Sequence, residues 1–249
     1  MDTAKPQLMD RPKAEAKHAA SEASGAALVS ALDAALGVQA DGALGALPVP
    51  HRRVERWKYT PLAAWWKDVL TPEVKTVAAA GCEANPVPGL DAYRLVFVNA
   101  AFDAAASDLP VHTGVTCMPL SQRGDAKLQD VDAFSPEGSD WFAGLNGRYS
   151  QEGLYLRVAQ GVELDRPILI HHHTSGAGAF NVLRHDLAVA LNASVKLVQW
   201  STSALDADGS VNVLTRADVG QGARLHIDKV QDEEGLSLIH ISEPTRHTR

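Results

Sequence analysis

Between Gly153 and Val230 apolar and polar positions alternate in short runs. They are Gly153-Leu-Tyr-Leu-Arg-Val, Pro167-Ile-Leu-Ile-His, Leu187-Ala-Val-Ala-Leu, Val195-Lys-Leu-Val-Gln-Trp, Val211-Asn-Val-Leu-Thr and Arg224-Leu-His-Ile-Asp-Lys-Val. Each run is rich in Val, Leu and Ile and is bounded by Gly, Asn, Asp or Pro. Period-two alternation between turn residues is the mark of half-buried strands. No stretch in this region carries helical spacing long enough to compete.

The region also repeats. Gly161-Val-Glu-Leu-Asp, Asn192-Ala-Ser-Val-Lys-Leu and Gly222-Ala-Arg-Leu-His-Ile share one form: a turn residue, a small or apolar residue, then polar and apolar in turn. The copies start at 161, 192 and 222, so the steps are 31 and 30 residues. A step of that size suits a coil whose apolar face is buried only by the coils above and below. A stacked β-solenoid is therefore expected ahead of an antiparallel sandwich or jelly roll, which would also give many short strands.

Upstream the pattern changes. Residues 1–20 are rich in Ala, Lys, Glu, Asp and Pro and are expected to be disordered or a fraying helix. From Ser21 to Leu36, Leu28, Val29, Leu32 and Leu36 follow helical spacing, with Gly37 placed to stop the helix. Residues 37–50 and 71–90 read as loops. Leu95-Val-Phe-Val-Asn reads as a buried strand and Val111–Met118 as a further one. Residues 120–140 read as helix and loop, and Trp141-Phe-Ala-Gly-Leu-Asn as part of a short helix. The chain thus divides into a loose N-terminus (1–20), a helical region with a strand near 95–99 (21–150), a β core (151–234) and a tail (235–249).

Composition narrows the function classes. The chain has 249 residues, a formal net charge of -7, 45% hydrophobic and 21% charged residues. That is ordinary for a globular protein of one or two domains and argues against a basic nucleic-acid-binding face. No apolar run reaches eighteen residues, and the N-terminus has no apolar signal core, so a cytoplasmic protein is expected. Cys82 and Cys117 lie far apart and form no metal or redox motif.

Candidate chemistry is sparse. His51-Arg-Arg-Val-Glu-Arg-Trp-Lys-Tyr-Thr-Pro-Leu and the following Trp65-Trp66 pack charge with aromatics, a mix that can stack bases or hold a phosphate. No Gly-rich phosphate loop accompanies it, so Trp57, Tyr59 and Trp65 or Trp66 are read as anchors of a small helical subdomain, with Arg and Lys facing water. His171-His172-His173 puts two imidazoles on one face of a strand. Lacking a carboxylate or thiol at fixed spacing, it is read as an exposed polar strand end rather than a metal site. His185-Asp186 is weaker, because sequence neighbours on a strand point to opposite faces. Asp206, Asp208 and Asp218 could pair across adjacent coils for acid–base work, but Asp206-Ala-Asp-Gly209 is more simply a turn. The chain has no Walker A lysine loop, Gly-x-Gly-x-x-Gly, Gly-x-Ser-x-Gly or Cys-x-x-Cys. Two cysteines fall short of the four that normally ligate an iron–sulfur cluster.

Four stretches in order resemble the SufB/SufD family of iron–sulfur cluster assembly proteins, in its SufD form. They are Glu55-Arg-Trp-Lys-Tyr-Thr-Pro-Leu, Leu95-Val-Phe-Val-Asn-Ala-Ala-Phe, Phe142-Ala-Gly-Leu-Asn and Gly153-Leu-Tyr-Leu-Arg-Val-Ala-Gln-Gly-Val-Glu-Leu-Asp-Arg-Pro-Ile. Ala100 stands where the family usually has Gly. The resemblance covers residues 51 to about 232. It implies an α+β chain: a small N-terminal helical region, then a right-handed parallel β-helix (β-solenoid), incomplete at its C-terminal end. Residues matching family motifs, with an expected structural role, are Glu55, Trp57, Lys58, Tyr59, Thr60, Asn99, Asn146, Gly153, Gly161 and Pro167. The implied role is that of a scaffold subunit, not itself an enzyme, paired with a SufB-like subunit and a SufC-like ATPase. Under that reading the iron–sulfur cluster is assembled on the complex, and this chain alone binds no cofactor. The alternative is a β-helix carbohydrate-active enzyme with paired carboxylates, for which Tyr155, Phe180 and Trp200 would be the sugar platforms.

The far end departs from this pattern. Leu236-Ser-Leu-Ile-His-Ile-Ser-Glu-Pro-Thr-Arg246 resembles a translated transposon-end sequencing adapter over eleven consecutive residues. The expectation is a non-native tail, a family C-terminal part that is missing, and with it the main partner-binding regions. An uncapped coil would then expose backbone donors and an apolar face, and aggregation is expected.

Overall fold

The computed structural model describes residues 87–123, 141–150, 152–205 and 207–233, with short stretches at 27, 29–34, 36, 38, 50 and 57–59. Residues 1–20, most of the loop expected over 71–90 and the tail from 234 onward lie outside the described residues. Within them the chain is α+β with strands predominating. The strands are β1 (Tyr93–Val98), β2 (Ala101–Asp108), β3 (Val115–Pro119), β4 (Leu154–Val158), β5 (Ile168–Thr174), β6 (Ala177–Val189), β7 (Ser194–Ser203), β8 (Asp208–Val219) and β9 (Arg224–Asp232). A 3-10 turn covers Leu120–Arg123, the described residues at 27, 29–34 and 36 are helical, within the helix expected over Ser21–Leu36, and a further helix, α1, covers Trp141–Tyr149.

The strands form two sheets, ordered β2-β1-β5-β7-β9 and β3-β4-β6-β8. From β4 onward successive strands alternate between the sheets, and from β6 onward each pairs in parallel with the strand two before it. Tyr155 lies beside Asp186, and Asp186 beside Arg216. Ile168 lies beside Leu197, and Leu197 beside Ile227. The offsets are therefore 31, 30, 29 and 30 residues. The antiparallel pairs are β1–β2 and β3–β4, at one end of each sheet.

The sequence repeat marks the corners of this stack. Gly161, Asn192 and Gly222, the first residue of each copy, all adopt left-handed backbone with φ of 71°, 56° and 68°. Each is the third residue of a four-residue turn, closed by Val162 N–H to Ala159 O (3.2 Å), Ala193 N–H to Ala190 O (3.0 Å) and Ala223 N–H to Gly220 O (3.1 Å). A positive φ at that position is what a type II turn requires, and Gly and Asn adopt it at least cost. The corners also bond to one another: Gly161 N–H donates to Leu191 O (2.9 Å) and Asn192 N–H to Gln221 O (3.1 Å).

The core lies between the sheets. Leu95, Phe97, Ile168, Ile170 and Leu197 of one sheet meet Leu154, Leu156, Leu183, Leu187 and Val189 of the other. A second cluster covers the outer face of the β6–β8 sheet. There Phe180 and Val182 pack under Trp141, Phe142, Leu145 and Tyr149 of α1, which in turn meet Val29, Leu32 and Trp57. No helix among the described residues is long and apolar enough to cross a membrane.

Three expectations need correction. The strand near 95–99 is one of three in the region read as helical: β1 joins the core sheet in parallel with β5, and β2 folds back on β1. The expected strand over Val111–Met118 is shifted to Val115–Pro119, with Val111 fully exposed. β6 begins at Ala177, ten residues before the apolar run at Leu187, because pairing with β8 holds the polar stretch that precedes it.

Candidate functional site

The polar residues gather where the interior changes character. In β5, Ile168, Ile170 and His172 share the inward face; in β6, Leu183, His185, Leu187 and Val189 do. Strand parity thus sends His172 and His185 into the space between the sheets. Both are buried, His185 completely. Their Nε2 atoms are 3.0 Å apart and their rings nearly coplanar, with an interplanar angle of 7°. Leu154 N–H donates to His185 Nδ1 at 3.0 Å. One strand further along each sheet, Gln199 Nε2 donates to Thr215 Oγ1 across the same gap at 2.8 Å. In register beyond Gln199 stands Lys229 on β9. Burial lowers the Lys229 pKa.

His171 and His173 project from the opposite face of β5. Their Nε2 and Nδ1 atoms converge on Thr202 Oγ1, each at 2.8 Å. Thr202 has one hydroxyl proton, so it donates to at most one of the two rings and accepts from the other or from both. Burial first, then the neighbouring His173, brings His171 down to about 4; burial also lowers His173. The reading of His171-His172-His173 as an exposed strand end is therefore overturned. The adjoining strands β1 and β7 sit on either side of β5, and His171 is 1% exposed. No group of three or more potential metal ligands occurs among the described residues. The clue to the inward pair was the parity of 168, 170, 172 and of 183, 185, 187, 189, which runs through the histidines without a break.

The motif residues serve separate joints. Asn99 and Ala100 form the β1–β2 turn, both with positive φ (48° and 61°). Asn99 accepts from the Ser175 amide (2.9 Å) and donates to its hydroxyl (3.1 Å), and its own amide donates to His173 O (2.9 Å). That fixes the hairpin to the corner after β5. Asn146 on α1 donates from Nδ2 to Leu183 O (2.9 Å) and Asn212 Oδ1 (2.7 Å), joining the helix to β6 and β8. Gly153 packs against the backbone of Arg184, where no side chain fits. Pro167, just before β5, accepts from Tyr93 N–H (3.0 Å). Trp57 is buried against Phe142, ring centroids 5.0 Å apart. Lys58 and Tyr59 are exposed, Tyr59 to 85%, so Tyr59 is not the anchor expected of it. Glu55, Thr60, Trp65 and Trp66 lie outside the described residues.

The other candidates do not converge. Tyr155 lies under the guanidinium groups of Arg157 and Arg123, 4.1 and 4.7 Å from its ring, and both arginines pair with Asp186. Phe180 is buried beneath α1, and Trp200 sits on the other sheet. The three aromatics thus form no row of sugar platforms. Asp206 and the Asp208 side chain lie outside the described residues, while Asp218 is exposed beside Arg216 at 4.0 Å. Burial pushes the Cys117 thiol up to about 12, so it is not a ready thiolate; Cys82 lies outside the described residues.

Comparison with known proteins adds the following. Residues 30–170 match the family model described as the SufBD protein N-terminal region. The chain is 25% identical over 195 residues to the iron–sulfur cluster assembly protein SufD of Escherichia coli (strain K12), covering 76% of this chain and 44% of that protein. It is 27% identical over 132 residues to an iron–sulfur cluster assembly SufBD family protein of Synechocystis sp., covering 50% of this chain and 29% of that one. The chain thus spans less than half the length of either relative.

Proposed function

The chain belongs to the SufBD family, and from that membership we propose that it is the scaffold part of an iron–sulfur cluster assembly subunit of the SufD kind. Its work is to offer a rigid edge to other subunits. The cluster forms on the complex, with a SufB-like subunit beside it and a SufC-like ATPase supplying the nucleotide hydrolysis. The chain is not an enzyme alone and acts in the cytoplasm. The coils from β4 to β9 are those of a right-handed parallel β-helix.

The observation that carries this reading is the parallel stack, in which alternate strands meet partners 29 to 31 residues on. Such a stack has a long straight side and buries its apolar faces against its own coils, which suits docking better than enclosing a small substrate. The four histidines support the same reading, since each has a ring nitrogen bonded within the chain, to Thr202, to the Leu154 amide or to one another.

The test is co-expression of the full-length gene product with its SufB-like and SufC-like partners. Recovery of a stable complex, and faster cluster transfer to an apo-ferredoxin than without this subunit, is the expected result. A full-length product that stays monomeric beside both partners and leaves cluster formation unchanged would overturn the proposal.

A further inference from the structure

The bond directions around His172 and His185 leave one proton arrangement. Leu154 N–H donates to His185 Nδ1 (3.0 Å), so that nitrogen carries no proton. A neutral His185 then holds its proton on Nε2, aimed at His172 Nε2, 3.0 Å away, which must accept it. His172 in turn is protonated on Nδ1. A further proton has no place within this chain of bonds. On His172 Nε2 it would set N–H against N–H; on His185 Nδ1 it would face the Leu154 amide.

The surroundings oppose charge as well. Phe97 of β1 stands 6.0 and 6.1 Å from the two rings. Ser201 flanks His172 on β7, and Thr215 flanks His185 on β8. On β4 the neighbour is the Leu154 amide; Glu152, just ahead of it, accepts from the Ser121 and Gly153 amides. The cation from β9 is Lys229, whose charge acts against a proton on His185. The same charge opposes a metal ion between the rings. His171 and His173 face away, onto Thr202.

We propose that the His172–His185 pair is an acid-released latch between the two sheets: its Nε2–Nε2 hydrogen bond, beside the one from Asn181 Nδ2 to Thr174 Oγ1 (3.0 Å), joins β5 to β6 while both rings are neutral, and one added proton breaks it. Burial, reinforced by Lys229, brings His185 down to about 3, against an ordinary value near 6.5 in the unfolded chain. A folded-state value below the unfolded one means the stabilisation is complete above about pH 6.5 and is lost as the pH falls toward 3. For one ring, the unfolding equilibrium constant approaches a tenfold rise per pH unit within that window, about 50-fold from pH 6.5 to 4.5 and about 90-fold from pH 7.5 to 4.5.

The test uses the full chain, with His185→Gln as the variant. Glutamine keeps an oxygen to accept from Leu154 and an N–H for His172 but takes up no proton. Urea unfolding from pH 7.5 to 4.5 is expected to show an acid-induced rise about 90-fold smaller in the variant than in the unaltered protein; equal pH profiles would overturn the latch. Ring-nitrogen NMR of the unaltered protein decides the matter even if the variant does not fold. His185 protonated on Nε2 and His172 on Nδ1, unchanged from pH 7.5 to 5.5, is the expected result. The reverse tautomers, or either ring titrating near 6.5 in the native spectrum, would refute it. Protection of the Leu154 amide, corrected for intrinsic exchange, should fall on acidification before that of Leu156; loss of both together would show global unfolding instead of a latch.

Discussion

Gly153→Ala separates the two reasons a strand protein keeps a glycine. At Gly153 an added Cβ would stand 2.5 Å from the Arg184 carbonyl carbon and 2.9 Å from its amide nitrogen, and nearer still to the oxygen. These are backbone atoms of β6, so no side-chain rotation relieves the clash; the start of β4 must move away. Three bonds stand in the path: Arg184 N–H to Glu152 O (2.9 Å), Leu120 N–H to Gly153 O (2.7 Å) and Leu154 N–H to His185 Nδ1 (3.0 Å). At about 1 kcal/mol net each, losing them costs about 3 kcal/mol. Overpacking beside the fully buried Leu154 adds roughly 1–3 kcal/mol. The expected loss is about 4–6 kcal/mol, a large share of the 5–15 kcal/mol typical of a folded protein. Gly161 is the control. It needs its left-handed φ of 71°, but an added Cβ there meets nothing within 4 Å. Gly161→Ala should therefore cost only the left-handed penalty, roughly 1–2 kcal/mol. With a slope of about 2–3 kcal/mol/M, urea unfolding followed by tryptophan fluorescence should place the Gly153→Ala midpoint about 1.5–3 M below the unaltered protein. A Gly153→Ala midpoint within 0.3 M or so of the Gly161→Ala midpoint would refute the close-approach argument.

Three further outcomes follow from named joints. Asn146→Ala removes two donated bonds and should cost about 2–4 kcal/mol in thermal unfolding. Asn146→Asp should be worse at neutral pH, since a carboxylate would face Leu183 O and Asn212 Oδ1; a milder Asp variant would count against the assigned donor role. Asp33 is held by Arg148 through two bonds (2.8 and 2.9 Å) and by the Tyr149 hydroxyl (2.8 Å). Burial alone would raise its pKa, but these bonds outweigh burial and hold it below the usual value. Its contribution is thus present above about pH 4 and lost as the pH falls below that, so Asp33→Asn should cost about 3 kcal/mol at pH 7 and progressively less in acid, as read from urea midpoints at each pH. Ala100→Gly relieves a left-handed strain of roughly 1–2 kcal/mol but removes a buried methyl worth about 0.8 kcal/mol, so a rise of a degree or two in melting temperature is expected and a clear fall would contradict the turn strain.

What the sequence made legible was local and periodic. The turn residues Gly161, Asn192 and Gly222 announced the corners because a left-handed φ restricts the residue to a short list. The strand runs announced themselves because one face of each is buried. The misses share a cause in pairing over long separations. β2 reads Ala-Phe-Asp-Ala-Ala-Ala-Ser-Asp, a poor strand by composition, and is extended because the Asn99-Ala100 turn lays it on β1. β1 enters the core sheet beside β5, 75 residues on, which no local pattern announces. Motif residues were found by resemblance, but their separate tasks were not visible, because Asn146 and Gly153 act on strands 37 and 31 residues away. The inward histidines followed from parity already evident in the runs; an unbroken run of three histidines drew attention to the shared face of the first and third instead of the second.

The interior explains why these joints fall where they do. At one end of the stack the inward rows are Ile168, Leu197 and Ile227, opposed by Leu187 and Val189, and burial alone holds them. Toward the ends of β5 and β7 the inward rows become His172 with Ser201 and Ile170 with Gln199. A parallel stack with a wholly apolar interior can slip by one coil or two residues at little cost, since one Leu replaces another. Polar pairs that must meet across the gap remove that freedom: Gln199 finds a partner in Thr215, and His172 in His185, at one register only. A two-residue slip would bury a donor or acceptor unpaired, at about 1–3 kcal/mol for each group. The asymmetry between an oily end and a polar end therefore sets strand register, and it places the proposed latch on β5 and β6, where β1, carrying β2, joins β5.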